Sequence, residues 1–179
     1  MTTGFNTLQN IKRRFFAMRN GIIADTMRKA GDTHRIIFGL NLPQLAEIAH
    51  DYLGDRSLAC TLWDNRTTRE SRLIAPMIFP ASEMPRELSM QWALDAQGFE
   101  ETDILCHRLL RRLPYATDLL DSLIGIRGCC YLTLRLALNL LPDSAPQARE
   151  LIESADENTT HAEAILKRRI MEELMFIEQ

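Results

Sequence analysis

The chain has 179 residues and a formal net charge of −3, and its length favours a single domain, which we predict over residues 1–179. Negative charge taken alone argues against a nucleic-acid-binding protein. The charge is unevenly distributed, however: residues 1–78 carry eleven basic and seven acidic side chains, whereas residues 143–179 carry four basic and nine acidic ones, so the positive charge is concentrated in the first part of the chain. No stretch approaches the roughly eighteen uncharged apolar residues of a membrane span, and no apolar leader follows the first charges. We therefore expect a cytoplasmic protein without a membrane partner. Neither the four cysteines nor the four histidines have zinc-ligand spacing, so we expect no metal partner.

Amphipathic runs with helical periodicity recur along the whole chain and are separated by Pro, Gly, Asn or Asp. The predicted helices span residues 5–18, 21–30, 43–53, 56–64, 68–79, 85–96, 100–113, 117–124, 127–141, 144–154 and 161–177. Their short connections imply antiparallel neighbours, and so many helix pairs in succession favour an α-solenoid over a four-helix bundle. We therefore predict an all-α fold in which HEAT-like helical repeats form a curved superhelix.

The predicted helix 68–79 carries a row of basic residues. Arg66, Arg69 and Arg72 recur every three residues, on the side opposite an apolar face that includes Leu73. Such a row is more often a solvated face, here with Glu70 as a partner. The alternative is a surface that contacts phosphates, which gives affinity for nucleic acid without reading its sequence.

The predicted helix 100–113 contains an acid where apolar atoms are expected. Four residues at spacings of four, three and four share one face of it: Phe99, Asp103, Cys106 and Leu110. A carboxylate on such a stripe must be desolvated unless a cation, a hydrogen-bond donor or a cleft accommodates it. Acids of this kind are common in active sites, and the alternative is a structural acid that its neighbours satisfy.

Several segments of the chain, in order, resemble the alkylpurine DNA glycosylases that are built of HEAT-like repeats. They run from about residue 5 to 141 and comprise RRFFAMRNGIIADTMRKAGD, FGLNLPQLAEIAHDYL, LACTLWDNRTTRESRLIAPMIF, ALDAQGFEETD and the helix that begins IRGCC. The Gly-hydrophobic-x-x-Pro turn of that family is present from Gly39 to Pro43, and its Leu-Trp pair is present as Leu62 and Trp63. The resemblance implies a DNA alkylation repair protein with the curved helical fold predicted above.

This resemblance also implies hydrolysis of the N-glycosidic bond of cationic N3- or N7-alkylated purines, without a metal or an organic cofactor. One carboxylate suffices, because the positive charge of the lesion already makes the base a good leaving group. The family motif of an aromatic residue, three spacers and Asp corresponds to Phe99 and Asp103, and Arg127 corresponds to a basic residue near the start of a later helix. We therefore expect Asp103 to be largely buried in a cleft, bordered by Phe99 and paired with Arg127.

Double-stranded DNA is the partner that the resemblance implies. We predict that six basic residues lie largely on one concave, positive surface: Lys12, Arg13, Arg14, Arg66, Arg69 and Arg72. Arg112 belongs to a basic cluster that follows Asp103 and is a further candidate for a phosphate contact, although the helix dipole alone favours cations there.

Two positions depart from the family pattern. The aromatic residue before the acid is commonly Trp in the family and is Phe99 here, which offers a smaller and less electron-rich face. No Trp follows Trp92, which we predict to be a core residue, and Met171 stands nearest to the aromatic residue expected in the last repeat. The alternative function is therefore a family member that binds DNA, another nucleic acid or a protein without excising a base.

Overall fold

Helices form nearly all of the regular structure. The computed structural model describes residues 2–154 and 159–177. These residues form eleven α-helices, numbered in chain order: α1 Thr2–Ala17, α2 Gly21–Lys29, α3 Leu42–His50, α4 Arg56–Asp64, α5 Arg69–Ile78, α6 Arg86–Asp95, α7 Gly98–Arg108, α8 Ala116–Leu123, α9 Cys130–Leu140, α10 Ala145–Glu153 and α11 His161–Ile177. The described ranges hold no strand beyond an isolated bridge between Ile36 and Thr68. The all-α prediction is confirmed, whereas the HEAT-like repeat and the curved superhelix stay predictions.

The chain divides into two compact units, residues 1–83 (unit 1) and residues 84–179 (unit 2). In unit 1, α3 and α4 pack against α5. In unit 2, α9 packs against α7, α8, α10 and α11. None of the described helices combines the length and the apolar character that a membrane crossing requires. One domain over residues 1–179 stays a prediction.

Among the predicted helices that are shorter in the structure than the periodicity indicated, two carry candidate site residues. The predicted helix 100–113 is α7, which ends at Arg108 and is followed by a 3₁₀ turn over Leu110–Arg112. The predicted helix 127–141 begins only at Cys130, because Gly128 has a φ of +87° that a right-handed helix does not accommodate. Asp103 lies within the first of these helices, and Arg127 lies before the second.

Helix α5 is buried on every side, with nine of its ten residues out of solvent. Arg72 is fully buried, and its guanidinium lies over the Trp63 ring at 3.6 Å while Nη1 donates to the Trp63 carbonyl at 2.7 Å. The predicted division of this helix into an apolar face and a basic face is therefore wrong. The charged side chains of α5 make hydrogen bonds and ion pairs with other groups in the interior of unit 1.

Glu70 holds the segment that precedes α3. Its carboxylate is fully buried and accepts hydrogen bonds from the backbone N–H groups of Phe38, Gly39 and Leu40 at 3.1, 2.9 and 3.4 Å. The Arg69 guanidinium pairs with the same carboxylate at 3.0 Å. Glu70 is thus a partner of the basic row, as one interpretation of the sequence had it, but the pair lies in the core and not on a solvated face.

Gly39 opens the Gly-hydrophobic-x-x-Pro turn and is required there by geometry. Its φ is +79°, and a Cβ atom on it would lie 2.3 Å from the carbonyl oxygen of Asn20. Within the turn, Asn41 begins a reciprocal capping box with Gln44 that starts α3. The turn is therefore an architectural feature of unit 1.

Candidate active site

Asp103 on α7 is held by two side chains of α9. Arg135 Nε donates to Oδ1 and Arg135 Nη2 donates to Oδ2, each at 2.5 Å, which makes a bidentate ion pair. The Tyr131 hydroxyl donates to Oδ1 at 2.8 Å. Tyr131 and Arg135 are four residues apart and so share the face of α9 that meets α7.

The cation that pairs with Asp103 is therefore Arg135, and the expectation of Arg127 is wrong. Arg127 lies exposed in the turn before α9, because that helix starts three residues later than predicted. The Asp103 side chain is also 34% exposed, so it is half-buried and not largely buried as expected. A carboxylate with this exposure and a guanidinium partner avoids the cost of an unpaired buried charge.

Sequence reasoning missed Arg135 and Tyr131, although a signal was present. Arg135 is the one charged residue of the largely apolar helix CYLTLRLALNL, and Tyr131 precedes it by one helical turn. The reasoning that singled out Asp103 on its stripe applies equally to an arginine on an apolar helix. An acidic residue and a basic residue that both lie on apolar helix faces predict an ion pair between them.

A cleft lies beside Tyr131, whose hydroxyl donates to Asp103, but Asp103 itself is not among the residues that line it. It has a volume of about 180 Å³ and is open to solvent, with Phe99, Thr102, Cys129 and Tyr131 among its lining residues. The Phe99 and Tyr131 rings are tilted against each other with centroids 4.4 Å apart. Phe99 is 52% exposed, so the stripe predicted on this helix is open to the cleft at Phe99 and is buried at Cys106 and Leu110.

Burial and the neighbouring charges change the acid–base properties of this cluster. Burial raises the pKa of Tyr131 to about 12, and the hydrogen bond to Asp103 adds to the effect, so the hydroxyl remains a donor at neutral pH. Burial acts to lower the pKa of Arg135, but the hydrogen bonds and charge of Asp103 outweigh it and the pKa is raised. Burial and then the charge of Asp103 raise the pKa of the Cys106 thiol, which makes it an inert core group.

The sequence model of the DNA alkylation repair enzyme family matches residues 11–170, which include Asp103 and both of its partners. The chain belongs to the DNA alkylation repair enzyme family. Comparison with curated proteins and with solved structures gives no match. Membership of this family indicates that the protein has a role in alkylation repair and contacts DNA.

Two of the six basic residues expected on a DNA-binding surface of this repair-family protein are buried. Arg69 is 2% exposed and Arg72 is fully buried, and both guanidinium groups bind partners within unit 1. The prediction that these two side chains contact DNA is wrong. The spacing of three residues placed them on one side of a helix, but it did not show that another part of unit 1 covers that side.

The other basic candidates lie at or near the surface of the repair-family protein. Lys12 and Arg13 are exposed on α1, Arg66 is exposed before α5, and Arg112 is exposed in the 3₁₀ turn of unit 2. Arg14 pairs with Asp51 at 2.5 Å and with Glu47 at 3.3 Å and so ties α1 to α3. A shared concave surface stays a prediction.

Metal ligands and disulfides do not enter the geometry of this site. Within residues 2–154 and 159–177, no group of three or more His, Cys, Asp or Glu side chains is arranged to hold a metal ion. The four cysteines are free thiols. Trp92 is 3% exposed, which confirms that it is a core residue.

Proposed function

We propose that the protein is a DNA glycosylase that excises cationic N3- or N7-alkylated purines from duplex DNA. The observation that carries this proposal is the Asp103 carboxylate, which is 34% exposed and is held by Arg135 and by Tyr131, whose ring lines an open aromatic cleft. Membership of a DNA alkylation repair family gives the class of damage, and the cluster supplies the one charged group that the chemistry requires.

The reaction proposed is hydrolysis of the bond between C1′ of the sugar and N9 of the purine. The bond breaks with its electron pair on the base, which leaves as a neutral alkylpurine because it carried a positive charge before. The sugar becomes an oxocarbenium-like cation, a water oxygen bonds to C1′, and the water releases one proton to the solvent, so the products are the neutral base, a sugar hydroxyl at C1′ and one proton. A fixed carboxylate beside C1′ stabilises the positive charge that develops on the sugar.

One lone pair of Asp103 remains available for that task. A carboxylate has about four acceptor sites, and Oδ1 accepts from Arg135 Nε and the Tyr131 hydroxyl while Oδ2 accepts from Arg135 Nη2. The remaining site is on Oδ2 and suits a water molecule held for attack on C1′. Fixing that water reduces the entropy cost of the attack.

The size of the cleft favours an open mode of recognition. Its volume of about 180 Å³ is below the roughly 300–1,000 Å³ of pockets that enclose small molecules. We infer that Phe99, with its exposed face, contacts one side of the damaged nucleotide through the attraction between a cation and an aromatic ring. The cationic charge of the lesion then contributes to binding as well as to bond breakage.

Exposed cations supply the proposed contacts with the DNA backbone. Lys12 and Arg13 of unit 1, and Arg112 and Arg127 of unit 2, are exposed side chains that suit phosphate groups. Arg66 is exposed as well and stays a candidate. Contacts of this kind bind any sequence, which suits a protein that searches for damage.

Replacing both Lys12 and Arg13 with alanine is expected to weaken binding to duplex DNA and to reduce its salt dependence. Each phosphate that a cation no longer neutralises lowers the slope of log K against log salt by about 0.9, so the slope of the double variant should fall by about 2. Fluorescence anisotropy over a salt series measures both quantities. The matched control is alanine at Lys167 and Arg168, which removes the same charge from α11. An equal decrease in both double variants, or an unchanged slope, contradicts the proposed contact.

A second candidate function is DNA binding without excision. The observation that favours it is the bidentate pair itself, because Arg135 occupies both oxygens of Asp103 and offsets its charge in the free protein. A purely structural pair between α7 and α9 has the same geometry. The two functions differ in their products: only a glycosylase releases a free base from a damaged duplex.

The deciding experiment measures free base released from methylated duplex DNA by the purified protein. We expect time-dependent release of 7-methylguanine or 3-methyladenine, detected by mass spectrometry, above the rate without protein. Anisotropy on the same duplex reports binding in parallel. Binding with release no faster than in buffer supports the second candidate and overturns the glycosylase proposal.

A further inference from the structure

Tyr131 contacts the Asp103 carboxylate and also lines the aromatic cleft of the candidate site. Its hydroxyl donates to Asp103 Oδ1 at 2.8 Å, and Arg135 Nη2 lies 3.5 Å from the same hydroxyl oxygen. Its ring contacts the Phe99 ring and lines the cleft. No other described residue combines these two interactions.

We propose that Tyr131 is a positioning residue for Asp103 and forms, with Phe99, a two-ring wall that binds the cationic sugar and base of the damaged nucleotide. This inference rests on the proposed glycosylase function and names the binding element of the same site. It assigns separate tasks to the hydroxyl and to the ring, so each is testable on its own.

The hydroxyl fixes which part of the carboxylate faces the substrate. Arg135 alone binds both oxygens in the plane of the carboxylate, and it leaves one further acceptor site on each. The Tyr131 hydroxyl occupies the extra site on Oδ1, so the free site is on Oδ2. Because burial and the carboxylate raise the pKa of Tyr131, the hydroxyl keeps its proton at neutral pH.

The ring enlarges the aromatic surface that Phe99 offers alone. A phenyl face is smaller than an indole face and attracts cations less strongly. A second ring with its centroid 4.4 Å from the first, inclined at 48°, gives two faces at an angle instead of one flat face. The sugar and the base of a nucleotide are inclined to each other, so each contacts one of the two faces, and the charge on Asp103 lies at the Tyr131 end of this wall.

Tyr131→Phe and Tyr131→Leu separate the two tasks. Tyr131→Phe keeps the ring and is expected to lower kcat about tenfold with KM changed less than about twofold, because the variant no longer makes a hydrogen bond to a charged group. Tyr131→Leu also removes the ring and is expected to lower kcat/KM by about a further tenfold and to raise KM. The control is Tyr115→Phe, which removes a hydroxyl that donates to the Met84 carbonyl in the same unit and should leave both constants unchanged.

The failure of this inference differs from the failure of the proposed function. Excision that is abolished in Asp103→Asn but unchanged in both Tyr131 variants overturns the role of Tyr131 and leaves the glycosylase standing. Equal decreases in Tyr131→Phe and Tyr115→Phe also overturn it, because a general reduction in stability then explains the effect. Circular dichroism checks that each variant is folded.

Binding measurements test the two-ring wall even in the absence of excision. The probe is a duplex in which one sugar is replaced by a protonated pyrrolidine, and the reference is the same duplex with a neutral tetrahydrofuran. We expect the protein to prefer the cationic duplex about tenfold, and Tyr131→Leu and Phe99→Leu to abolish most of that preference, while Tyr115→Phe keeps it. No preference in the unmodified protein, or an undiminished preference in Tyr131→Leu, overturns the proposal.

Discussion

Asp103→Asn is expected to lower the rate of base excision about 10²- to 10³-fold, which is the usual effect of removing one preorganised electrostatic group from an active site. Asparagine keeps the size and one acceptor oxygen of the side chain, but it has no charge to stabilise the developing sugar cation. DNA affinity should change little, since the charge matters more in the transition state than in the ground state. Single-turnover release of methylated base, together with anisotropy, measures the two effects separately.

Asp118→Asn is the matched control for this experiment. Asp118 forms an ion pair with Arg86 at 2.8 Å in the same unit, but both side chains are more than half exposed and lie outside the cleft lining. Its substitution should leave excision unchanged, because exposed pairs contribute about 1 kcal/mol or less to stability. Unaltered excision in Asp103→Asn would remove Asp103 from the mechanism. If the unmodified protein shows no excision and Asp103→Asn only lowers the melting temperature, the Asp103–Arg135 pair is a structural link between α7 and α9.

Glu70→Ala is expected to reduce the free energy of unfolding by about 3–5 kcal/mol, the cost of removing one partner of a buried ion pair. The change leaves Arg69 with its charge buried and takes the acceptor away from three backbone N–H groups. Glu70→Gln should be less destabilising, because its one carbonyl oxygen still accepts from the N–H groups of Gly39 and Leu40, while the N–H of Phe38 loses its acceptor. Urea denaturation followed by circular dichroism gives the free energies.

Glu47→Ala serves as the control in the same unit. Glu47 pairs with Arg14 at 3.3 Å but is 63% exposed, so its removal should cost less than about 1 kcal/mol. Equal effects of the Glu47 and Glu70 substitutions would contradict the structural role of the buried pair. A large destabilisation confined to Glu70 would confirm that the acidic residue in the basic helix serves the fold and not a nucleic acid.

Local sequence patterns predicted the helical content well because they depend on neighbours within one or two turns. The eleven predicted helices correspond to the eleven helices of the described residues, and the main differences are at ends where a glycine or a 3₁₀ turn intervenes. The acid at Asp103 was also visible, since an ionised group on an apolar stripe is unusual in any helix. Its aromatic neighbour four residues before it followed from the same spacing.

Interactions between distant segments decided the rest. Sequence alone placed a lone acid on α7 and did not distinguish Arg69 and Arg72 from Lys12 and Arg13. The tertiary structure brought Arg135 and Tyr131 of α9 to that acid, left Arg127 in a turn, and buried Arg69 and Arg72 among carbonyl and carboxylate groups. Helical periodicity reports which side of a helix a residue occupies. Only the packing of other elements against that side determines whether a charge there meets solvent, a partner or a substrate.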